Sequence, residues 1–299
     1  MAVGKRALVL SGGGSRGSYQ VGVLKALSEK LGVSWDTVHG VSVGSLNAAW
    51  YAMHKKEEHI QCVDGLIDIW NSIESSLNIY EPWLPLKLNY LSSMWKGSLY
   101  TGKPLEKLIR DFWDPKKLEE SGVKLTVGCC SLSTLQYKDV DSLSVDAEKI
   151  MQYVLASTHV PIIFEPLFID NELWIDGGLQ HLIPLEAALA ESPDIIDVVL
   201  STPIAERHRS MEGIEGLSAP QVAMRSTMLI TNQVLKTDYE FLQRAIRENS
   251  HIQFNIYMPS TNPTPESLNF SGEHIKKAID AGYRDVIDML SEDENKKDR

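Results

Sequence analysis

Two glycine-containing turns near the N-terminus carry residues whose types and spacing could do chemistry. The first turn, residues 12–17, reads GGGSRG and follows the short apolar run 5–11. Consecutive glycines let the backbone approach a ligand closely, and a helix that begins there adds positive partial charge. The turn therefore predicts a site for an anion, which is either a phosphate or a transient oxyanion.

The second turn, residues 40–44, has the form G-x-S-x-G and places Ser42 between a predicted strand at 37–41 and a predicted helix at 46–53. Small residues two before and two after the serine, here Gly40 and Gly44, permit a sharp elbow that exposes its hydroxyl. If the two strands are parallel neighbours, both turns meet at one edge of the sheet. Oxyanion donors would then lie within reach of Ser42.

A serine nucleophile needs a base, and Asp176 is the best candidate. It follows the apolar run 173–175 and precedes Gly177 and Gly178, so the carboxylate emerges at the end of a strand. An Asp is a weak base at its ordinary pKa of about 3.9. Desolvation raises its basicity, so a buried Asp in contact with the serine could accept the proton during attack. Taken alone, the same residues are typical of an ordinary Asp-Gly turn.

A dinucleotide site is the main alternative for the first turn. Gly12, Gly14 and Gly17 satisfy G-x-G-x-x-G, and Asp36 lies where a ribose-binding acid would be expected. Against this interpretation, Asp36 precedes the second predicted strand instead of closing it. A plain tight turn is the third possibility. A Walker A loop is excluded because no G-K-[ST] follows.

The elements that must position these turns alternate along the chain. Strands are predicted at 5–11, 37–41, 124–131, 135–140, 173–175, 195–200 and 252–258, and helices at 21–27, 46–53, 60–77, 147–157, 221–248 and 273–290. This alternation predicts an α/β fold with a mainly parallel central sheet flanked by helices in three layers. Because Ser42 and Asp176 must meet in one core, residues 1–290 are predicted to form a single catalytic domain, and 291–299 a charged C-terminal tail.

Charge and cysteine content narrow the partners and the compartment. The 299 residues hold 29 Lys and Arg against 40 Asp and Glu, a net charge of −11. That excess argues against nucleic acid as a partner and against simple electrostatic attraction to an anionic membrane. Three cysteines without metal-binding spacing, and an apolar run too short for a signal peptide, predict a cytoplasmic protein that can lie peripherally at membranes.

An aromatic segment between residues 81 and 100 does not fit the alternation. It contains two prolines and has no clean period. One interpretation is an irregular cap packed on the core. The other is a lid or interfacial loop in which Trp83 and Trp95 anchor the protein transiently to a membrane, since tryptophan favours the headgroup zone.

Together, GGGSRG at 12–17, GVSVG at 40–44 and DGG at 176–178 resemble the motifs of the patatin-like phospholipase family, in the family's order. Residues 156–164 are also similar to the family's A-S-x-x-x-P-x-x-F stretch before the acid. The resemblance implies a Ser–Asp dyad without histidine, in which Ser42 is the nucleophile and Asp176 its base. It further implies an oxyanion hole formed by the backbone N–H groups of Gly12, Gly13 and Gly14.

The resemblance also implies an activity and two supporting residues. The activity is hydrolysis of acyl esters in lipids, of phospholipase A or lysophospholipase type, through an acyl-enzyme and without metal or organic cofactor. Arg16 would position the glycine loop or the substrate headgroup. His181 stands where the family often has Asn five residues after the acid, and it would order the turn after Asp176. A ligand-activated effector phospholipase is a variant of this hypothesis; activator and oligomeric state stay open.

Overall fold

The computed structural model describes residues 4–83, 97–204, 216–264 and 266–297. The strands in this part of the chain are β1 (Arg6–Leu10), β2 (Thr37–Val41), β3 (Glu81–Pro82), β4 (Tyr100–Thr101), β5 (Lys124–Ser131), β6 (Gln136–Asp141), β7 (Leu167–Ile169), β8 (Glu172–Asp176), β9 (Ile195–Val199) and β10 (Gln253–Tyr257). Its α-helices are α1 (Gly17–Leu31), α2 (Val43–Ala52), α3 (His59–Asn71), α4 (Lys103–Phe112), α5 (Pro115–Ser121), α6 (Ala147–Thr158), α7 (Leu185–Ala190), α8 (Ala219–Glu248) and α9 (Gly272–Lys297).

The central sheet is mostly parallel. Its strands run in the order β10-β9-β1-β2-β5-β8-β7, and β6 also pairs with β5. The five strands from β10 to β5 are parallel to one another, whereas β6, β7 and β8 pair antiparallel. β3 and β4 form a separate two-stranded sheet. The predicted α/β fold with a mainly parallel sheet is confirmed.

Helices cover both faces of this sheet. Side chains alternate along β1, so that Leu8 and Leu10 join one apolar cluster while Ala7 and Val9 join another on the opposite face. The first cluster contains residues of α1, α2, α3, α6 and α9, and the second contains residues of α7 and α8. A parallel sheet buried on both faces accounts for the continuous apolar runs that identified the strands in the sequence.

Along one of its edges, strand β5 pairs first with β2 and then with β8. Residues up to Gly128 pair with β2, whereas the pairing with β8 begins at Cys129, opposite Asp176. β6 pairs with β5 across both segments and so occupies the other edge. The end of β2 at Val41 and the end of β8 at Asp176 therefore meet on the same edge of β5, one residue apart in register.

Several element boundaries differ from the sequence prediction. β2 and β5 match it residue for residue, but α3 ends at Asn71, where a helix to 77 was predicted. Ser75 and Asn78 form a capping box that starts a new short turn at 76–78, which stops α3 from continuing. α9 continues to Lys297, well past the predicted end at 290. Glu and Lys are good helix formers, so the charge of this stretch does not end the helix. Among the described residues, no helix is long and apolar enough to cross a membrane.

Candidate active site

Ser42 sits on a sharp elbow between β2 and α2. Its backbone has φ 55° and ψ −130°, a conformation that residues with a side chain rarely adopt and that surrounding contacts must hold in place. The flanking glycines are needed for steric reasons. A Cβ on Gly40 would lie 2.4 Å from the Gly44 carbonyl oxygen, and one on Gly44 would lie 2.3 Å from the Leu10 oxygen.

Buried hydroxyl groups hold the elbow. The Ser42 N–H donates to Ser157 Oγ at 2.8 Å, and Ser157 Oγ donates to the Gly128 oxygen at 2.7 Å. Ser45 Oγ donates to the Ser42 oxygen at 2.6 Å. The Ser157 hydroxyl thus ties the elbow to β5 at the point where its edge passes from β2 to β8.

Asp176 lies against Ser42. Its Oδ1 accepts the Gly178 N–H at 2.7 Å, and the Ser42 hydroxyl lies close enough to lower the pKa of the carboxyl. The residue is only 5% exposed, and burial raises the pKa of its carboxyl to about 7 even though Ser42 and Gly178 oppose that shift. A carboxyl with this pKa is a far better base near neutral pH than an exposed Asp.

The glycine loop lies beside the same elbow. A Cβ on Gly12 would be 3.3 Å from Ser42 Cβ, and one on Gly14, where φ is 61°, would be 2.0 Å from the Ser267 oxygen. The Gly12 N–H donates to the Leu182 oxygen at 3.1 Å, so it is already occupied, although the sequence suggests it as an oxyanion donor. Within the described residues, no acceptor takes the N–H of Gly13 or Gly14.

Arg16 belongs to the short helical turn that precedes α1. Its Nη1 donates to Thr202 Oγ1 at 3.3 Å, just beyond the end of β9. This contact links the glycine loop to the neighbouring strand at the same edge of the sheet. The contact is consistent with the loop-positioning role suggested for Arg16, and its alternative role toward the substrate headgroup stays a prediction.

His181 does not reach the Ser42–Asp176 pair through any hydrogen bond of the described residues. Its Nδ1 lies 3.3 Å from Asp238 Oδ1 on α8, and that hydrogen bond raises the pKa of the imidazole. Asp238 also accepts the N–H groups of Leu182 and Ile183, at 2.6 and 3.0 Å. His181 and Asp238 together hold the segment that follows Asp176.

The dinucleotide interpretation fails on position. Asp36 precedes β2 and accepts the N–H of Arg6 at 2.7 Å, at the start of β1, and it also pairs with the Lys56 ammonium. It therefore lies at the amino end of the strands, whereas the glycine loop follows their carboxyl end. A ribose carboxylate would have to lie at the carboxyl end, next to the pyrophosphate loop.

An apolar pocket opens beside Ser42. Its wall includes Ser42 and Gly14. Asn47 is one of its few polar residues, and its side-chain amide forms hydrogen bonds with Gly17, Gln20 and Trp70. The rest of the wall is mainly aliphatic and aromatic, with Leu46, Trp50, Leu66, Ile69, Ile73, Leu105, Leu108, Ile109, Phe112, Phe164 and Phe270 among its members.

Of the two predicted membrane anchors, only Trp83 lies among the described residues. Trp83 is half-buried, and its indole N–H donates to Ser98 Oγ at 3.1 Å. Trp95 lies outside the described residues, so its role as an anchor stays a prediction. In the described part of the chain, no group of three or more His, Cys, Asp or Glu side chains is arranged to hold a metal ion.

Two positioning residues were not recognised from the sequence. Ser157 itself belongs to the stretch that resembles the family pattern. The bridging role of its hydroxyl could not be seen there, because it depends on a hydrogen bond to Gly128 of β5, which lies 29 residues earlier in the chain. Asp238 carried a detectable signal, because it falls on the stripe of α8 that Leu235 and Leu242 bury. An acid on an apolar stripe needs a buried partner.

Comparisons with known proteins place the chain in a family. The protein-family model described as patatin-like phospholipase matches residues 8–189 of this chain. The chain is 30% identical over 196 residues to the uncharacterized protein YqhO of Bacillus subtilis, covering 59% of this chain and 64% of that protein. It is 30% identical over 189 residues to human patatin-like phospholipase domain-containing protein 6, covering 61% of this chain but 12% of that protein.

A solved structure gives a partial match. VipD from Legionella pneumophila superposes with a TM-score of 0.48 at 15% sequence identity, covering 97% of this chain and 67% of that one.

Proposed function

Because this chain belongs to the patatin-like phospholipase family, we propose that it is a lipid acyl hydrolase of phospholipase A or lysophospholipase type, working through Ser42 and Asp176. The observation that carries the proposal is Ser42 on its sharp elbow beside the buried Asp176, whose pKa is raised by burial to about 7. Ser42 lines an apolar pocket, and an apolar lining suits the acyl part of a lipid.

The chemistry divides into two half-reactions. Ser42 Oγ attacks the acyl carbonyl carbon while its proton passes to Asp176, and the carbonyl oxygen becomes an oxyanion. Collapse of this intermediate expels the alcohol, which takes the proton from Asp176, and leaves the acyl group on Ser42. Water then attacks the acyl-enzyme with Asp176 again as base, and the fatty acid departs as Ser42 regains its proton.

The glycine loop supplies the oxyanion donors. The N–H groups of Gly13 and Gly14 are the candidates, because neither has an acceptor among the described residues and Gly14 lines the pocket with Ser42. Gly12 contributes by its lack of a side chain, which lets the loop pack against Ser42. Donors fixed in place before the reaction stabilise the charge that develops on the oxygen.

We take the catalytic domain to be residues 1–290, with 291–299 as a charged tail. β9 and β10 belong to the same sheet as β1, although they lie beyond the residues that the family model matches. α9 packs tightly on α1, since a Cβ on Gly22 would lie 1.9 Å from the Ile279 oxygen. These contacts make the C-terminal elements part of the core that holds the site.

Covalent labelling tests the nucleophile. Purified protein is treated with a fluorophosphonate probe, and the adduct is mapped by mass spectrometry after digestion. The expected adduct is on Ser42, and the Ser42→Ala variant should take up no label. Ser45→Ala is the matched control, because Ser45 is a buried serine of the same turn whose hydroxyl binds the Ser42 oxygen. Labelling that persists in Ser42→Ala would refute the assignment.

Substrate comparison tests the lipid class. Wild-type and Ser42→Ala proteins are incubated with a total lipid extract, and the products are followed by mass spectrometry. Free fatty acid and lysolipid that appear only with the wild type would support acyl hydrolysis. Hydrolysis of p-nitrophenyl butyrate in parallel measures the competence of the site without a lipid surface. An absence of both activities would contradict the proposed function.

A further inference from the structure

The first half of α8 exposes apolar side chains that have no cover among the described residues. Leu235 is the first residue of the 30-residue helix that is buried; no residue of 219–234 is. Yet Val222, Met228, Leu229 and Ile230 are large and apolar, and they are 49%, 49%, 69% and 51% exposed. Large apolar groups gathered on one exposed stretch indicate an interaction surface.

The position of this stretch follows from the contacts of Asp238. That side chain binds the N–H groups of Leu182 and Ile183, and the Leu182 oxygen accepts the N–H of Gly12 beside Ser42. At Asp238 the helix is therefore level with the edge of the sheet that carries the site. The C-terminal end of α8 leads back to the opposite edge, where β10 begins.

The part of α8 before Asp238 thus extends past the edge that carries Ser42. At a rise of 1.5 Å per residue, the residues from 219 to 238 span roughly 28 Å. Met224 packs against the apolar cluster to which most of the pocket wall belongs. The exposed stretch therefore lies past the edge of the sheet that carries Ser42, on the side of the sheet where the pocket is formed.

Charge favours a lipid surface as the occupant. The chain carries a net charge of −11, yet residues 219–237 contain no Asp or Glu and include Arg225 and Lys236. An amphipathic helix with apolar side chains and no carboxylates can lie in the headgroup region of a bilayer without repulsion from anionic lipids. A second acidic copy of this chain would bring more carboxylates to the contact.

We propose that residues 219–234 of α8 form a membrane-docking helix that seats the mouth of the pocket on a lipid bilayer. Val222, Leu229 and Ile230, which lie within one arc of about 100° on the helix, enter the boundary between headgroups and acyl chains. The proposal rests on the proposed function, since it gives the hydrolase a route by which a lipid molecule can pass from the bilayer into the pocket. Docking by apolar contact predicts weak dependence on salt concentration.

Vesicle flotation tests docking separately from catalysis. The vesicles contain equal amounts of phosphatidylcholine and phosphatidylglycerol, and the protein carries Ser42→Ala so that the lipid stays intact. Adding Leu229→Asp should lower the bound fraction about tenfold or more, because it removes an apolar side chain that would be buried in the bilayer and places a charge in the membrane interface. Leu143→Asp is the matched control, since Leu143 is 79% exposed and follows the end of β6 at the opposite edge of the sheet.

The same substitutions in active protein complete the test. Leu229→Asp should leave turnover of p-nitrophenyl butyrate unchanged and lower hydrolysis of vesicle lipid, whereas Leu143→Asp should change neither. Vesicle binding that survives Leu229→Asp, or that collapses steeply with salt, would overturn the docking helix and leave the proposed function intact. A dimer in sedimentation analysis that Leu229→Asp splits would likewise overturn it in favour of self-association. Loss of ester turnover in the wild type would count against the hydrolase alone.

Discussion

Two aspartates are buried in the central sheet, and their surroundings differ sharply. Asp197, in the middle of β9, is fully buried and accepts hydrogen bonds from the guanidinium of Arg6, the indole of Trp35 and the amide of Asn255. Asp176, at the end of β8, is nearly as buried, but among the described residues only the Gly178 N–H donates a hydrogen bond to its carboxylate, and the Ser42 side chain lies beside it.

The contrast shows that burial alone does not determine the pKa or the role of an aspartate. A buried carboxylate that is paired with a cation and fully hydrogen-bonded ties strands together, and its loss leaves the cation uncompensated. A buried carboxylate with few donors and no cation has a raised pKa, about 7 for Asp176. The second arrangement weakens the fold at neutral pH, and it is the arrangement that the base proposed for Ser42 requires.

Asp176→Asn should have the largest effect on activity. The amide keeps the shape, and its oxygen can still accept the Gly178 N–H, but it cannot accept the serine proton, so kcat should fall by a factor between about 10² and 10⁴. The measurement is steady-state hydrolysis of p-nitrophenyl butyrate. The urea midpoint at pH 8 should stay equal or rise, because the variant no longer buries a poorly compensated charge. Activity that survives in a folded variant would rule out Asp176 as the base.

Asp197→Asn makes the same chemical change and should have the opposite consequence. It leaves the Arg6 guanidinium, which is 17% exposed, without its carboxylate, so the free energy of unfolding should fall by about 3 kcal/mol. Urea denaturation measures that change. The kcat of the folded protein should stay close to wild type, because Asp197 does not contact the site. Equal stability of the two Asp→Asn variants would remove the distinction drawn between these carboxylates.

The pH dependence of activity should follow Asp176. Because its pKa is raised to about 7, the base is mostly ionised above that pH and mostly protonated below it. The kcat/KM for a soluble ester should therefore rise with pH, level off above about 8, and fall about tenfold per unit below about 6. The rate of fluorophosphonate labelling should follow the same curve. A profile that is flat from pH 5 to 8 would contradict the raised pKa.

The same raised pKa has a consequence for stability. The folded value of about 7 lies above the unfolded value, so the neutral form is favoured by folding. That contribution is fully present below about pH 4 and is lost as pH rises through about 7. The difference in Tm between Asp176→Asn and wild type should therefore grow in favour of the variant across this interval. Differential scanning fluorimetry at several pH values measures it.

Much of the frame was predictable because it depends on local patterns. The buried parallel strands are continuous apolar runs, and β2 and β5 were predicted to the residue. The elbow at Ser42 was predictable from its G-x-S-x-G spacing, because a Cβ on Gly40 would clash with the turn itself at Gly44, whereas the requirement at Gly44 comes from Leu10 on the neighbouring strand. Ser42 and Asp176 as a catalytic pair stay a prediction until the experiments above are done.

What could not be predicted depends on pairing between distant segments. Nothing local shows that β8 joins the edge of β5 at Cys129, although this register brings Asp176 to Ser42. The role of Asp197 was missed for the same reason, since its partners come from three other parts of the chain. The occupied N–H of Gly12 also depends on a distant oxygen, that of Leu182.

Ser157→Ala should have an intermediate effect, because Ser157 holds the elbow without touching substrate. The change leaves the Ser42 N–H and the Gly128 oxygen buried without a partner, which should cost about 1–3 kcal/mol of stability. A less firmly held Ser42 should lower kcat about tenfold while KM stays the same. The labelling rate with fluorophosphonate should fall in parallel. A loss of stability with unchanged kcat and labelling rate would restrict Ser157 to a structural role.

His181→Asn should have the smallest effect and tests the reach of the site. His181 is 40% exposed and contacts Asp238, not the Ser42–Asp176 pair, so the expected loss of stability is below about 1 kcal/mol. The Asp238 hydrogen bond raises the pKa of the imidazole, so this contribution is present below the unfolded pKa and is lost as pH rises through the folded one. The Tm difference should therefore be larger at pH 5.5 than at pH 8.5.

Since the backbone bonds of Asp238 to residues 182 and 183 remain, kcat should change by less than about threefold. A fall as large as that of Asp176→Asn would mean that the imidazole takes part in proton transfer, and the two-residue mechanism would have to be replaced.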